Sequence, residues 1–300
     1  MAESLILQNR LSPGDILMMT PAIRDLHLTY PGEYVTDVRS PAPQVFQNNP
    51  YITVIPDRQG KLIDMQYPLI HESGATGRHF SEGHREYLAK AIGRPIRNTS
   101  MWPEIYLSDT EINWANPVKV EYGYDGPYWI INAGIKNDYT LKRYPYYQEV
   151  VNLLKDKITF VQVGQLEHDH PPLSNVLDMR GKTDLRQLFR LAYHSDGAIC
   201  AVSLQMVIQA AFRKPCVVLN GGRESIRWQA YQNHRFLAVN GALPCCRLDG
   251  CWRSKVSDCV DWLKDKQVPH CMDMIRPMDV ARAVELYYEG GVLESKLEYA

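Results

Sequence analysis

Leu5-Ile6-Leu7-Gln8-Asn9-Arg10-Leu11-Ser12-Pro13-Gly14-Asp15 runs from a short apolar strand into a tight turn, and the residues from Ile16 to Leu28 then carry a helical pattern. Pro13 presets φ, and Gly14 tolerates φ > 0 or the close approach of a ligand. A strand–turn–helix unit of this kind sets Asp15 at the carboxyl end of a strand and at a helix N-terminus, where open α/β sheets bind ligands. Two roles are open to its carboxylate: capping the helix, or acting as a base in a cleft.

The alternation continues outward from that unit. Tyr34–Arg39 reads as a second strand, Gln44–Asn48 as a short helix, and Ile52–Ile55 as a third strand. A further strand is expected around Leu69, followed by the loop His71–His79 and a helix over Glu82–Ile92 with Gly93 as its C-cap. Asn116-Pro117 and Asp125-Gly126-Pro127 mark a boundary. It divides the chain into an N-terminal, acceptor-side domain over 1–125 and a C-terminal domain over 126–300. The pattern then restarts: strands at Tyr128–Asn132, Ile158–Val163, Gly197–Val202 and Cys216–Leu219 alternate with helices at Tyr146–Lys155, Leu185–Tyr193 and Gln205–Arg213. Asp184 is the expected cap of the second of these helices, and Pro277–Glu289 closes the chain as a helix with an apolar stripe at Val280, Ala283, Val284 and Tyr287. The expected architecture is α/β: two Rossmann-like domains with parallel, helix-covered sheets facing a cleft.

Composition bounds the function. A length of 300 residues suits two domains, and 45% hydrophobic with 22% charged residues is ordinary for a globular protein. A net charge of -1 removes the electrostatic footprint of a nucleic-acid binder. No run approaches a membrane span, and the first residues read as a strand rather than a signal peptide, so a cytoplasmic location is expected.

Seven cysteines in such a chain are expected to be thiols or ligands rather than disulfides. Cys200 and Cys216 fall in apolar strands, whereas Cys245, Cys246, Cys251, Cys259 and Cys271 crowd into the loop 243–273. Four thiolates in a tetrahedron suit Zn²⁺ or a single iron. The expected ligands are Cys246, Cys251, Cys259 and Cys271, with Cys245 as rival to Cys246 and His270 as a further candidate. A fully ligated site has no open position, so its role is structural; the rival reading is a reduced, redox-sensing thiol cluster. No catalytic metal is expected, because no Asp-x-Asp motif is present.

Several motifs then fall in one order. Gly14-Asp15-Ile16-Leu17-Met18-Met19-Thr20-Pro21-Ala22 resembles the opening motif of glycosyltransferase family 9, the ADP-heptose heptosyltransferases of lipopolysaccharide assembly. Asn132-Ala133-Gly134 with Lys142-Arg143-Tyr144-Pro145 resembles the family's His-Pro-Gly…Lys-Arg-Trp-Pro segment. Arg180-Gly181-Lys182-Thr183-Asp184-Leu185 is similar to its Ala-Gly-Lys-Thr-Ser-Leu segment, and Ala210-Ala211 with Lys214-Pro215 to the end of its diagnostic helix. The Cys-Trp pair and the late Cys271 resemble the iron-binding motif of the bacterial autotransporter heptosyltransferases, relatives that modify proteins.

The resemblance implies a GT-B fold and inverting transfer of a sugar from a nucleotide-diphosphate donor, ADP-linked, to a hydroxyl of a glycan or protein acceptor. It implies Asp15 as the base, with Lys142 and Arg143 on the diphosphate. Donor contacts are implied at Gly14, Asn132, Gly134, Gly164, Gly181, Lys182, Thr183, Ser203, Leu204 and Gln205. Self-association into a homo-oligomer is left open. The family's diagnostic helix is preceded by Asp-Ser/Thr-Gly and carries a His three residues later, where this chain has Val202, Ser203, Leu204 and Val207. A Val neither accepts from a sugar hydroxyl nor donates to phosphate, so the sugar stays open between heptose and another hexose-like sugar. Gly222, Arg223 and Glu224 can compensate as donor ligands, or form an ordinary loop ion pair. The two other readings are a non-catalytic nucleotide- or sugar-binding module of the same fold and a nucleotide-sugar epimerase.

Overall fold

The computed structural model describes residues 2–65, 77–137 and 140–289. The strand expected around Leu69 and most of the loop His71–His79 lie outside the described residues. Chain contacts divide the molecule into two compact units, Met1–Trp114 with Arg227–Gln229, and Ala115–Ile226 with Ala230–Ala300. No described helix is long and apolar enough to cross a membrane.

Unit 1 opens with β1 (Glu3–Gln8), whose Leu5, Ile6 and Leu7 are buried because both faces of the strand are covered. The expected helix is broken in two: α1 (Pro13–Leu17) and α2 (Thr20–Thr29). Pro21 has no N–H to give to the Leu17 carbonyl, and the Thr20 hydroxyl donates to that carbonyl instead, at 2.8 Å. Next comes β2 (Tyr34–Arg39), as expected, and then a 3₁₀ turn over Pro43–Phe46. Ile52–Ile55 forms no strand; it contributes one bridge, Ile52 to Thr36, and the third strand is instead β3 (Lys61–Asp64). Asn49-Pro50 holds this stretch in a turn. The described sheet is parallel, in the order β2-β1-β3. α3 (Phe80–Ile92) starts at a capping box on His79 and ends at Gly93, which adopts φ 71°.

A buried ionic network holds α2 to its neighbours. Fully buried Asp25 accepts from Arg24 Nε at 3.1 Å, Arg85 Nη1 at 3.3 Å and the Thr99 amide at 3.4 Å. His84 on α3 is also fully buried, its ring 4.9 Å from that of Phe80, which stacks on Trp228 at 4.7 Å. Neither His84 nitrogen has a hydrogen-bond partner, and burial pushes its pKa down to about 4. The unfolded chain therefore takes up this proton near pH 6.5, before the native state does, and stability falls from about pH 6.5 down to about 4. In denaturant titrations across that range, His84→Phe is expected to shrink the acid slope, with little change above pH 7. An unchanged slope would show that His84 does not titrate on unfolding.

The short helix α4 (Asp109–Asn113) ends unit 1, and unit 2 begins with α5 (Pro117–Tyr122). Its sheet comprises β4 (Trp129–Asn132), β5 (Phe160–Gln162), β6 (Leu177–Asp178), β7 (Gly197–Ala201), β8 (Cys216–Gly221) and β9 (His234–Ala238). The order β6-β5-β4-β7-β8-β9 is parallel throughout, so the chain builds outward from β4 in one direction and then reverses between β4 and β7. Trp129 and Ile131 pack with α6 (Tyr147–Leu154) and with α10 (Pro277–Tyr288) through Val150, Val151, Val280 and Val284. Ile130, on the other face of β4, is equally buried. α7 (Leu185–His194) starts at its expected cap, Asp184, which accepts from the Gln187 amide at 2.7 Å, and α8 (Leu204–Ala211) follows β7. A two-stranded ladder, β10 (Trp262–Leu263) with β11 (Val268–Pro269), and the single turn α9 (His270–Asp273) belong to the cysteine loop.

Candidate functional site

Apart from Lys142 and Arg143, the donor-binding candidates in unit 2 lie at or just beyond the carboxyl end of a strand. Asn132 ends β4 and Gly134 follows it; Gly164 follows β5; Gly181, Lys182 and Thr183 follow β6. Ser203, Leu204 and Gln205 join β7 to α8, and Gly222, Arg223 and Glu224 leave β8. Asn132 donates to the Val163 carbonyl at 3.3 Å, and the Gly181 amide donates to the Gly164 carbonyl at 2.8 Å, so these turns touch one another. Reversal of strand order between β4 and β7 leaves a crevice there, because the loops leave those strand ends in opposite directions.

Lys142 reaches that point. Its ammonium donates to the Val202 carbonyl at 3.0 Å and pairs with Glu224 Oε1 at 2.9 Å. Beside it, Ser203 occupies the N-cap of α8 with an extended backbone, yet its hydroxyl caps nothing and is buried without a hydrogen-bond partner. Gln205 is 3% exposed, and neither its amide oxygen nor its nitrogen has a partner. Each buried polar group left unpaired costs about 1–3 kcal/mol, so a cluster of them beside the unpaired N–H groups of a helix start is suited to a polar, anionic ligand.

His170 lies against these turns, a placement that the sequence patterns do not signal. Mutual backbone bonds between Ile135 and Asp169, at 3.0 and 3.1 Å, draw the loop after β5 against the end of β4. His170 then lies on both glycine steps: a Cβ at Gly134 would strike its ring and the Asp169 carbonyl, and a Cβ at Gly164 would meet the ring at 2.5 Å. This is why glycine is needed at those two places. Burial, and next the neighbouring His168, push His170 down to about 4, which keeps the ring neutral, and its Nδ1 is buried without a partner.

Other candidates sit further out. Arg143 pairs with Asp169, both about 42% exposed, and so helps to hold the His170 loop. Lys182 is exposed and bonds Glu121 at 2.7 Å and the Tyr122 hydroxyl at 3.1 Å. Thr183 directly precedes the α7 cap. Arg223 is buried, with Nε donating to the Arg253 carbonyl at 2.6 Å and Nη2 to Ser254 Oγ at 2.8 Å.

Cys245, Cys246, Cys251, Cys259 and Cys271 all line one cavity of about 20 Å³, together with Arg223, Arg253 and Asp261. That volume suits one ion or one water. Burial first, and then the adjacent Cys251, Cys246 and Cys259, push the Cys271 thiol up to about 12. A thiol held that high is protonated at neutral pH, so an ion in this cavity would have to displace its proton; the sulfurs lining the cavity are the donor type of a thiolate metal site. Among the described residues, however, no group of three or more His, Cys, Asp or Glu side chains is already drawn around a common centre.

In unit 1, Asp15 is the third residue of α1, one place after Gly14, and is half-buried. The N-cap position belongs to Ser12, and α1 has no side-chain cap bond. Asp15 therefore does not occupy the N-cap position of its helix.

Solved structures share this architecture. A family 9 glycosyltransferase from Veillonella parvula matches at 14% identity and a TM-score of 0.68, over 96% of this chain and 97% of that one. ADP-heptose LPS heptosyltransferase II from E. coli matches at 15% identity and a TM-score of 0.61, over 96% and 99%. The iron-containing dodecameric glycosyltransferase TibC from enterotoxigenic E. coli matches at 15% identity and a TM-score of 0.63, over 97% of this chain and 77% of that one. No protein-family model and no curated protein sequence matches the chain. At these identities the likeness is one of fold, and the fold is that of the GT-B glycosyltransferases of family 9.

Proposed function

We propose that the chain is an inverting glycosyltransferase that moves a sugar from an ADP-linked donor to an acceptor hydroxyl of a glycan or protein. The observation that carries this reading is Lys142 bonding the Val202 carbonyl at the start of α8, where Ser203 and Gln205 keep buried, unpaired polar atoms, at the strand-order reversal of unit 2. In this scheme the diphosphate lies on Lys142 and the first N–H groups of α8, and Ser203 and Gln205 pair with donor oxygens. Asp15 takes the proton of the acceptor hydroxyl as its oxygen attacks the anomeric carbon. The bond from that carbon to the diphosphate breaks, and Lys142 with the α8 dipole stabilises the charge that leaves on ADP. The likeness to an ADP-heptose enzyme supports an ADP-linked donor. Val202 and Val207, where the family carries Asp and His, favour a second reading as a donor-binding module; hydrolysis of the donor separates the two.

Thermal denaturation across nucleotides tests the donor. ADP at about 100 times its Kd is expected to add about 2.7 kcal/mol of stability, a rise of several degrees. Adenosine, which lacks the diphosphate, should give far less. Equal responses to the two would remove the diphosphate from the account.

The cysteine loop is proposed to hold one structural iron or zinc ion through Cys246, Cys251, Cys259 and Cys271, with Cys245 as the rival ligand. Such an ion would brace a loop that has almost no apolar core of its own. Elemental analysis of the folded protein should find about one metal per chain. Finding none, with five freely titrating thiols, would leave the loop as a reduced thiol cluster.

A further inference from the structure

One buried carboxylate at the site faces the wrong way for an anion-binding pocket. Glu224, 3% exposed, puts Oε1 2.9 Å from the Lys142 ammonium, where a donor phosphate oxygen is expected under the reading above. The same Oε1 accepts from Arg223 Nη1. Arg223 in turn is fixed by the cysteine loop: Nε to the Arg253 carbonyl, Nη2 to Ser254 Oγ, and its own carbonyl to the Trp252 amide at 2.9 Å. The preceding residue is held the same way, since the Cys251 amide donates to the Gly222 carbonyl at 3.1 Å. Arg253 and Ser254 lie between Cys251 and Cys259, and Arg223 itself lines the thiol cavity.

We infer that Glu224 is an internal phosphate mimic on Lys142, and that Arg223, set by the cysteine loop, determines how strongly it competes with the donor. This rests on the donor reading proposed above. Glu224 Oε1 shares its charge between Lys142 and Arg223. When Arg223 is anchored, it neutralises Glu224 and leaves the charge of Lys142 for the diphosphate. When the loop loosens, Arg223 loses two of its acceptors and its hold on Glu224 slackens, so that more of the carboxylate's charge rests on Lys142 and opposes a second anion at the same place. Sites linked in this way typically alter one another's affinity by about 5- to 150-fold. Donor affinity is thereby coupled to the state of the thiol loop, whose cavity lies on the far side of Arg223. Glu224 and Arg223 are positioning residues here, acting through Lys142.

The test is calorimetric titration of ADP into the full chain and four variants. Glu224→Gln keeps an acceptor for Lys142 but removes the competing charge, and is expected to bind ADP at least about fivefold more tightly. Arg223→Gln should bind ADP correspondingly more weakly, and Arg223→Lys should recover most of that loss by restoring a cation beside Glu224. The double variant should bind like Glu224→Gln, because Arg223 acts only through the carboxylate. A merely structural Arg223 would weaken binding equally in both backgrounds and would overturn the relay. Unchanged or weaker binding by Glu224→Gln would also overturn it, and that arm decides the matter even if Arg223→Gln does not fold. No ADP binding by the unaltered chain would instead discard the donor reading, and the relay with it.

Discussion

Asp15→Asn is expected to slow sugar transfer by about 10²–10⁴-fold while leaving ADP affinity near that of the unaltered chain. An amide has nearly the shape of the carboxylate but cannot take the acceptor's proton at neutral pH. The substitution also separates the two roles that the opening turn allows. Asn and Asp serve almost equally well at a helix N-cap, so a capping Asp15 would tolerate the change with turnover intact. The cap position of α1 belongs to Ser12, and Asp15 stands two residues inside the first turn, half-buried. ADP affinity is expected to survive because the diphosphate contacts proposed above belong to unit 2, whereas Asp15 belongs to unit 1. Turnover at the original rate would remove Asp15 from the chemistry.

Lys142→Met should weaken ADP binding by about 10- to 100-fold, the loss expected when one charged hydrogen-bond donor is removed from a phosphate. Met keeps most of the apolar stem, so packing around the side chain is largely preserved and the change isolates the ammonium. The turnover rate should fall as well, because the same charge stabilises the departing ADP more than it stabilises the bound donor. A second cost is the loss of one of the cations on buried Glu224, with Arg223 remaining. Direct titration separates binding from folding, and the melting temperature without ligand reports any destabilisation. Unaltered ADP affinity in a folded Lys142→Met protein would contradict the assignment of the diphosphate to this lysine.

The sequence was legible where burial and local rules point the same way. Strands β4, β5, β7 and β8 are short apolar runs because a parallel sheet covered on both faces admits nothing else. The Asp184 cap and the Gly93 C-cap are local signals, and both formed as read. Failures arose where the decisive partner is distant in sequence. Pro21 splits the first helix, and the Thr20 hydroxyl that repairs the break is visible only in three dimensions. Ile52–Ile55 has the apolar character of a strand, but Asn49-Pro50 leaves it one bridge, and the more polar Lys61–Asp64 takes the place beside β1. The edge strand β9 starts with His234 and Arg235, which hides a strand signal.

The site shows the same division. Motif order indicated Asn132, Gly134, Lys142 and Ser203 without any knowledge of the sheet. That β4 and β7, which lead into these residues, are neighbours follows from the strand reversal, a property of topology that no local pattern encodes. His170 was illegible because its place depends on backbone pairing between Ile135 and Asp169, and on two glycines that make room for its ring. Arg223 and Glu224 follow a double-glycine turn and read equally well as ligands or as an ion pair. The structure adds their link to Lys142 on one side and to the cysteine loop on the other.

A crystal structure of the chain with ADP tests the central claim most directly. The account predicts the diphosphate at the carboxyl ends of β4 and β7, with an oxygen within hydrogen-bond distance of Lys142 Nζ and others facing the first amides of α8. Gln205 or Ser203 should then be paired with the ligand. ADP bound elsewhere, or Lys142 still on Glu224 and the Val202 carbonyl and out of reach of the nucleotide when it is present, would contradict it.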